Sequence, residues 1–212
     1  MSGLLIVGAS GHGKVVVEAA SAMGRWNDIA FADDRFVELG TWHGHPVVSS
    51  SSPDSSLLER FSDVIVAIGK ATTRLRLLSA FEAAGFIPAT VIHPAATVSA
   101  SATIGPGSVL LGGAVVNASA SLGRGCIINT GASVDHDCMV GEGVHICPGA
   151  ALAGDVTVGA RSWISIGSSV IQGVNIADDV TVGAGGAVIN DIGAGVTAVG
   201  VPARPLTRRS GP

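Results

Sequence analysis

Residues 96–128, ATVSASATIGPGSVLLGGAVVNASASLGRGCII, decide the fold, and their pattern runs on through GASVDHDCMVGEGVHICPGAALAGDVTVG at 131–159. From Val98, every sixth residue through Val188 is Val, Ile or Leu, sixteen positions out of sixteen. With aliphatics at about a third of residues, such a run arises by chance on the order of once in tens of millions of trials. Two positions before each aliphatic sits a small or β-branched residue, from Ala96 and Ala102 through Cys126 and Cys138 to Val180 and Gly186. Two inward residues separated by one outward residue match the alternation of a short strand, and Gly, Asn and Asp at the remaining positions supply turns. Three such strands make an 18-residue triangular coil. Stacked at the usual strand spacing, about five coils form a prism roughly 25 Å long. A short-period repeat of this kind is the signature of a solenoid.

The repeat accounts for the composition. The 212 residues are 47% hydrophobic and only 13% charged, with 30 Gly, no Tyr and 4% aromatic residues. A thin prism has no room for aromatic rings inside. No apolar run approaches the roughly 18–20 residues that crossing a membrane requires, and the N-terminus goes straight into LLIVGASGHG without a basic leader. The expectation is a cytoplasmic protein. A net charge of −4, with Lys14 and Lys70 the only lysines, argues against nucleic acid as a partner. Arg204, Arg208 and Arg209 near the end form the one basic cluster. Three cysteines without a CxxC pair argue against a disulfide framework.

The first 93 residues read differently. Apolar runs at 4–10, 28–34 and 63–69 alternate with helical spacing over 13–23 and 72–84, and ATVIH at 89–93 gives a last short strand. Alternating strands and helices predict a small Rossmann-like α/β unit. The chain therefore divides into an α/β unit (1–93), a parallel β-helix (94–190), and a C-terminal segment and tail (191–212). Gly8, Gly11 and Gly13 in GASGHG form a strand-to-helix turn where a phosphate can sit on backbone amides. This is G-x-x-G-x-G, not the dinucleotide fingerprint. Asp33 and Asp34 follow about twenty residues on, where nucleotide-binding folds carry a ribose-binding acid.

Inside the repeat only His136 and His145 are histidines. His136 follows the inward Val134 by two positions and projects from a corner, between Asp135 and Asp137. A carboxylate reaching the ring would raise its pKa and fix its tautomer. A histidine so tuned suits general-base work at neutral pH; the plain alternative is a solvated turn. His145, half a coil on, projects from a different side.

GASGHGKVV, ADD, VAIG with TRLRL, IHP, NTGASVDHDC, CPGAALAGDVTVG and GVPAR, in that order, resemble the bacterial hexapeptide acyltransferases of the sialic acid O-acetyltransferase and bacillosamine or perosamine N-acetyltransferase type. The resemblance covers almost the whole chain. It implies a left-handed β-helix and a homotrimer with active sites between subunits. It also implies direct acetyl transfer from acetyl-CoA to the 4-amino group of a nucleotide-linked amino-dideoxy sugar, UDP-linked before GDP- or dTDP-linked, with no metal. His136 is then the general base, with Asp137 its partner ahead of Asp135. Asn129, His145, Gly154, Gly183, Ala184 and Arg204 line the acetyl-CoA site, with a thioester-oxyanion role for the Gly154 amide. Gly11, His12, Gly13, Asp33, Asp34 and Gly69 hold the acceptor. Lys70 departs from the Asn or Asp-Asn that relatives carry after that glycine.

Other readings remain: O-acetylation of sialic acid or another glycan hydroxyl, a γ-type carbonic anhydrase, an NAD-dependent oxidoreductase, and a non-catalytic solenoid. A three-histidine zinc site is not met by the two histidines of the repeat. The oxidoreductase is suggested by GASGHG with Asp33 but misplaces the fingerprint glycines, and the solenoid leaves the DHD and GASGHG segments unexplained.

Overall fold

The computed structural model describes residues 3–206, so Arg208, Arg209 and the end of the tail lie outside the described residues. The α/β unit runs β1 (Leu4–Val7), α1 (Gly11–Met23), β2 (Ile29–Ala32), α2 (Phe36–Leu39), β3 (Thr41–Trp42), β4 (His45–Ser49), β5 (Asp63–Val66), α3 (Ala71–Ala83) and β6 (Ile87–Pro88). The sheet order is β3-β4-β2-β1-β5-β6, parallel except for the β3–β4 hairpin. Every residue of β1, β2 and β5 is buried. Strands covered on both faces read as continuous apolar runs, which is why LLIV, IAFA and DVIV stood out in the sequence. The short α2 and the β3–β4 hairpin were not anticipated. Helix α1 starts at Gly11 rather than Gly13, so GHG forms its first turn.

From Val91 onward, two-residue rungs stack into the prism. Each pairs in parallel with the rung 18 residues on: Val109 with Ile127, Val115 with Ser133, Ser121 with Met139. Three sheets of eight, six and five strands result, forming a left-handed parallel β-helix. The aliphatics of the sixfold series fill one continuous core, with Cys126 and Cys138 wholly buried among them. The strand expected within ATVIH is the first rung, since Val91–Ile92 pairs with Val109–Leu110 and not with the α/β sheet. At the far end the period shortens. Thr197 pairs with Thr181 and Ile192 with Ile176, a spacing of 16, and Thr197–Gly200 then folds back antiparallel on Ala203–Pro205. That hairpin closes the exposed edge of the eight-stranded sheet.

The α/β unit covers the eight-stranded sheet. Val91, Val109 and Leu111, pointing outward from the prism, join Val16, Val17, Ala20 and Phe31 in a shared core. Helix α3 lies along the corner where Gly107, Gly125 and Gly143 stack. Each has a left-handed φ, and a Cβ on any of them would crowd Leu75 or Leu78. The same corner position becomes Arg161 and Asp179 in the next two coils, where no helix covers it and the two side chains pair.

Candidate active site

His136 stands on the corner between the six-stranded and five-stranded sheets, after the rung Ser133–Val134. Its Nδ1 lies 2.8 Å from Asp137 Oδ2. Asp135 is held separately: it accepts from Asn117 Nδ2, one coil below, and from the His136 amide, both at 2.8 Å. The hydrogen bond to Asp137, followed by the charge of Asp135, raises the His136 pKa. With Nδ1 engaged, Nε2 is the nitrogen left to exchange a proton. One coil above, Gly154 lies against the imidazole so closely that any side chain there would strike the ring. Its neighbours Ala153 and Asp155 donate to the Val170 and His136 carbonyls, whereas among the described residues the Gly154 N–H has no backbone acceptor. An unused amide beside a tuned imidazole is a fitting place for a developing oxyanion.

The other candidate residues gather on the side covered by the α/β unit. His145, expected to project from the prism, is 7% exposed because that unit is docked over it. Asn129 Nδ2 meets its Nε2 at 3.0 Å, the Asn129 Oδ1 being occupied by the Thr130 amide. The amide therefore donates to Nε2, and the ring proton sits on Nδ1, which is buried without a partner among the described residues. The His12 ring lies 6.4 Å away between centroids, its Nε2 also buried and unpartnered, and Trp163 packs edge-on to His145 at 4.3 Å. Burial, and then the charge of Arg74, pull His12 down to about 4; burial, then His12 and Arg74, pull His145 to about 3. Both are neutral hydrogen-bonding groups at physiological pH.

The GASGHG turn sits at the carboxyl end of the sheet beside Asp33. Gly13 must lack a side chain because a Cβ would collide with the Gly8 carbonyl and press on Phe31; Gly11 is open to solvent. The Ser10 side chain makes no capping bond, leaving the first amides of α1 available. Asp33 accepts from the Ala9 amide at 2.9 Å and pairs with Arg35, which holds its carboxyl below the usual range; Asp34 accepts from the Ser51 amide and hydroxyl. Arg35, not singled out in the sequence, also donates to Ala9 O at 2.7 Å and so braces the turn.

Gly69, Lys70, Ala71 and Thr72 face Arg161, Trp163, Asp179 and Thr181 across a cleft of about 470 Å³. Trp163 was missed: an outward position on a prism rung is ordinarily polar, and a tryptophan there was the available signal. Gly183, Ala184 and Arg204 lie toward the last coils. A Cβ on Gly183 would meet Val199, Ala184 is exposed, and Arg204 bonds its neighbour's carbonyl. Burial pushes the Cys126 and Cys147 thiols up to about 12, so neither offers a thiolate nucleophile at neutral pH. Among the described residues no group of three His, Cys, Asp or Glu could hold a metal ion, and no helix is long and apolar enough to cross a membrane.

A small α/β unit docked on a triangular β-helix whose corner presents a carboxylate-tuned histidine defines a hexapeptide-repeat acyltransferase. The PglD N-terminal domain family matches residues 3–81. The acetyltransferase domain of PglB from Neisseria gonorrhoeae FA1090, solved with acetyl coenzyme A, is 43% identical with a TM-score of 0.90, over 96% of this chain and 98% of that one. PerB from Caulobacter crescentus, solved with CoA and GDP-perosamine, is 40% identical with a TM-score of 0.89, over 98% of each chain. WeeI from Acinetobacter baumannii AYE is 27% identical with a TM-score of 0.79, over 97% and 100%. A search of the curated proteins found no match. The chain belongs to the nucleotide-sugar N-acetyltransferase family represented by PglB and PerB.

Proposed function

We propose that this acyltransferase moves acetyl from acetyl-CoA to the 4-amino group of a nucleotide-linked amino-dideoxy sugar, with the UDP-linked sugar the first acceptor to test. The observation that carries the reading is the His136–Asp137 pair at 2.8 Å with Gly154 against the ring. PerB, crystallised with CoA and GDP-perosamine, supports this donor and acceptor class. His136 Nε2 takes a proton from the acceptor amine as its nitrogen attacks the thioester carbon. The Gly154 amide donates to the resulting oxyanion. Collapse breaks the C–S bond, and the proton on His136 passes to the departing CoA sulfur, so base and acid roles fall to one ring. Asp137 keeps the ring proton on Nδ1, and the absence of an activated cysteine favours direct attack.

In this reading residues 1–93 hold the acceptor at the GASGHG turn, Asp33, Asp34 and Gly69, residues 94–190 carry the chemistry, and the segment from residue 191 closes the prism through the hairpin of Thr197–Gly200 and Ala203–Pro205. Gly183, Ala184 and Arg204 border the donor. Asn129 and His145, which the resemblance places at the donor, lie beside His12 and are proposed to serve where donor and acceptor meet. His136 and the cleft stand on different sides of one prism, which supports a homotrimer with each site shared by two subunits; a cytoplasmic location is part of the same proposal. The test is a steady-state assay with acetyl-CoA and UDP-, GDP- and dTDP-linked 4-amino-4,6-dideoxy sugars side by side. His136→Ala should lose about 10²–10⁴-fold in kcat; a wild-type kcat in that variant ends the base assignment. Acetylation of a sugar hydroxyl in place of the amine would redirect the reading to O-acetyl transfer.

A further inference from the structure

Arg74 is wholly buried, and among the described residues no carboxylate pairs with it. A buried guanidinium without a counterion is costly unless its donors are met. Here four carbonyls meet them: Nη1 donates to Ile68 O at 2.7 Å and Gly69 O at 2.6 Å, Nε to Gly125 O and Nη2 to Gly143 O, both at 2.7 Å. The first two carbonyls belong to the loop between β5 and α3, the other two to successive coils of the prism. One side chain therefore ties the strand-end loop of the α/β unit to the solenoid at two heights. Among the described residues Gly125 O and Gly143 O accept no backbone bond, so the prism offers these carbonyls no substitute for Arg74.

The tied loop is one wall of the cleft. Gly69 lines it, and the Trp163 ring on the opposite wall comes within 3.8 Å of where a Gly69 Cβ would stand. Trp163 in turn touches His145, next to His12. We infer that Arg74 is a positioning residue for acceptor binding: by fixing the Ile68–Gly69 loop against the prism it sets the gap between Gly69 and Trp163 into which the acceptor's nucleotide-sugar fits. This rests on the proposed acceptor class, and it assigns Arg74 no contact with substrate. Lysine keeps the charge but offers donors from a single point, and it cannot span carbonyls on two elements as a planar fork does.

The experiment compares Arg74→Lys and Arg74→Gln with wild type. The acceptor KM should rise about tenfold or more from an ångström-scale shift of one wall, while the acetyl-CoA KM stays within about twofold, because His136 and Gly154 stand on a different corner. In Arg74→Ala, millimolar methylguanidinium should restore acceptor KM, which a general loss of stability would not allow. Calorimetric titration of UDP and GDP into the same proteins reads the cleft without turnover: weaker nucleotide binding in the variants supports the inference even if none of the sugars tested is acetylated, an outcome that would count against the proposed reaction alone. An unchanged acceptor KM and nucleotide affinity in a cooperatively folded Arg74→Lys or Arg74→Gln protein overturns it, as do donor and acceptor KM rising together.

Discussion

Gly154→Ala tests the corner geometry without removing any group that acts chemically. Gly154 has no left-handed φ, so alanine can adopt its backbone without strain. The consequence is steric: a Cβ at 154 stands 2.5 Å from His136 Nε2 and 3.0 Å from Nδ1. Ordinary contact requires the ring to retreat by about 1 Å. The ring is exposed and able to do so, which makes the cost to folding small, within about 1 kcal/mol. Its bond to Asp137 and its aim at the acceptor amine cannot both survive the move. A misplacement of that size costs about 10²-fold in rate, equivalent to about 2.7 kcal/mol in activation free energy.

The assay is kcat from CoA-thiol release at saturating acetyl-CoA and acceptor, read beside the thermal midpoint. The expected result is a kcat near a hundredth of wild type with an unchanged midpoint. A kcat within twofold of wild type would show that the ring does not need its place over Gly154. A large drop in midpoint would show instead that the corner is part of the folding core.

Asp137→Asn removes the largest contribution to the raised His136 pKa, so the acid limb of the kcat/KM profile should move to lower pH, and the plateau should fall about tenfold as the weaker base takes over. His12 and His145 titrate near 4 and 3 in the folded chain against 6.5 unfolded. The unfolded chain therefore binds more protons below pH 6.5, and stability should fall with decreasing pH at up to about 1.4 kcal/mol per unit per histidine until those lower values are reached; His145→Gln should flatten that slope in acid-dependent denaturant unfolding. Gly143→Ala meets both a left-handed φ of 68° and Leu75 Cδ1 at 2.8 Å. It should destabilise by about 2–4 kcal/mol in denaturant melts, against little change for alanine at the exposed Gly11.

The prism was legible because its signal is redundant: each inward position recurs every six residues, and Val134 or Ile164 has no other place to go. The contact between His136 and a carboxylate was legible for a related reason, two carboxylates flanking one imidazole on an almost uncharged solenoid, while its role as base stands as proposed. The α2 segment and the β3–β4 hairpin were not, because FVEL and TW are too short to carry a period. His145 read as an outward residue, which it is, but local spacing cannot report that another unit docks over that sheet. The clue lay in the corner glycines at 107, 125 and 143 giving way to Arg161 and Asp179, which marks where α3 stops covering the prism. Arg74 left a fainter trace, since its partners are backbone carbonyls that no sequence pattern displays.

The placement of the proposed base relative to the cleft bears on assembly. The α/β unit covers the eight-stranded sheet, whereas His136 rises where the other two sheets meet. On the proposed reading, an acceptor anchored at the GASGHG turn and the Gly69–Trp163 cleft meets its base on a neighbouring subunit of the trimer. Two inactive variants should accordingly repair each other: His136→Ala keeps the cleft, and a cleft variant such as Trp163→Ala keeps the base. In randomly mixed trimers a site works only where a good cleft faces a good base, which at equal proportions is about a quarter of all sites. Coexpression of the two should therefore restore about a quarter of wild-type activity, falling away as either variant comes to dominate. A site contained in one chain predicts none at any ratio, because every chain would carry one defect or the other, and that flat result would return both halves of the chemistry to a single subunit.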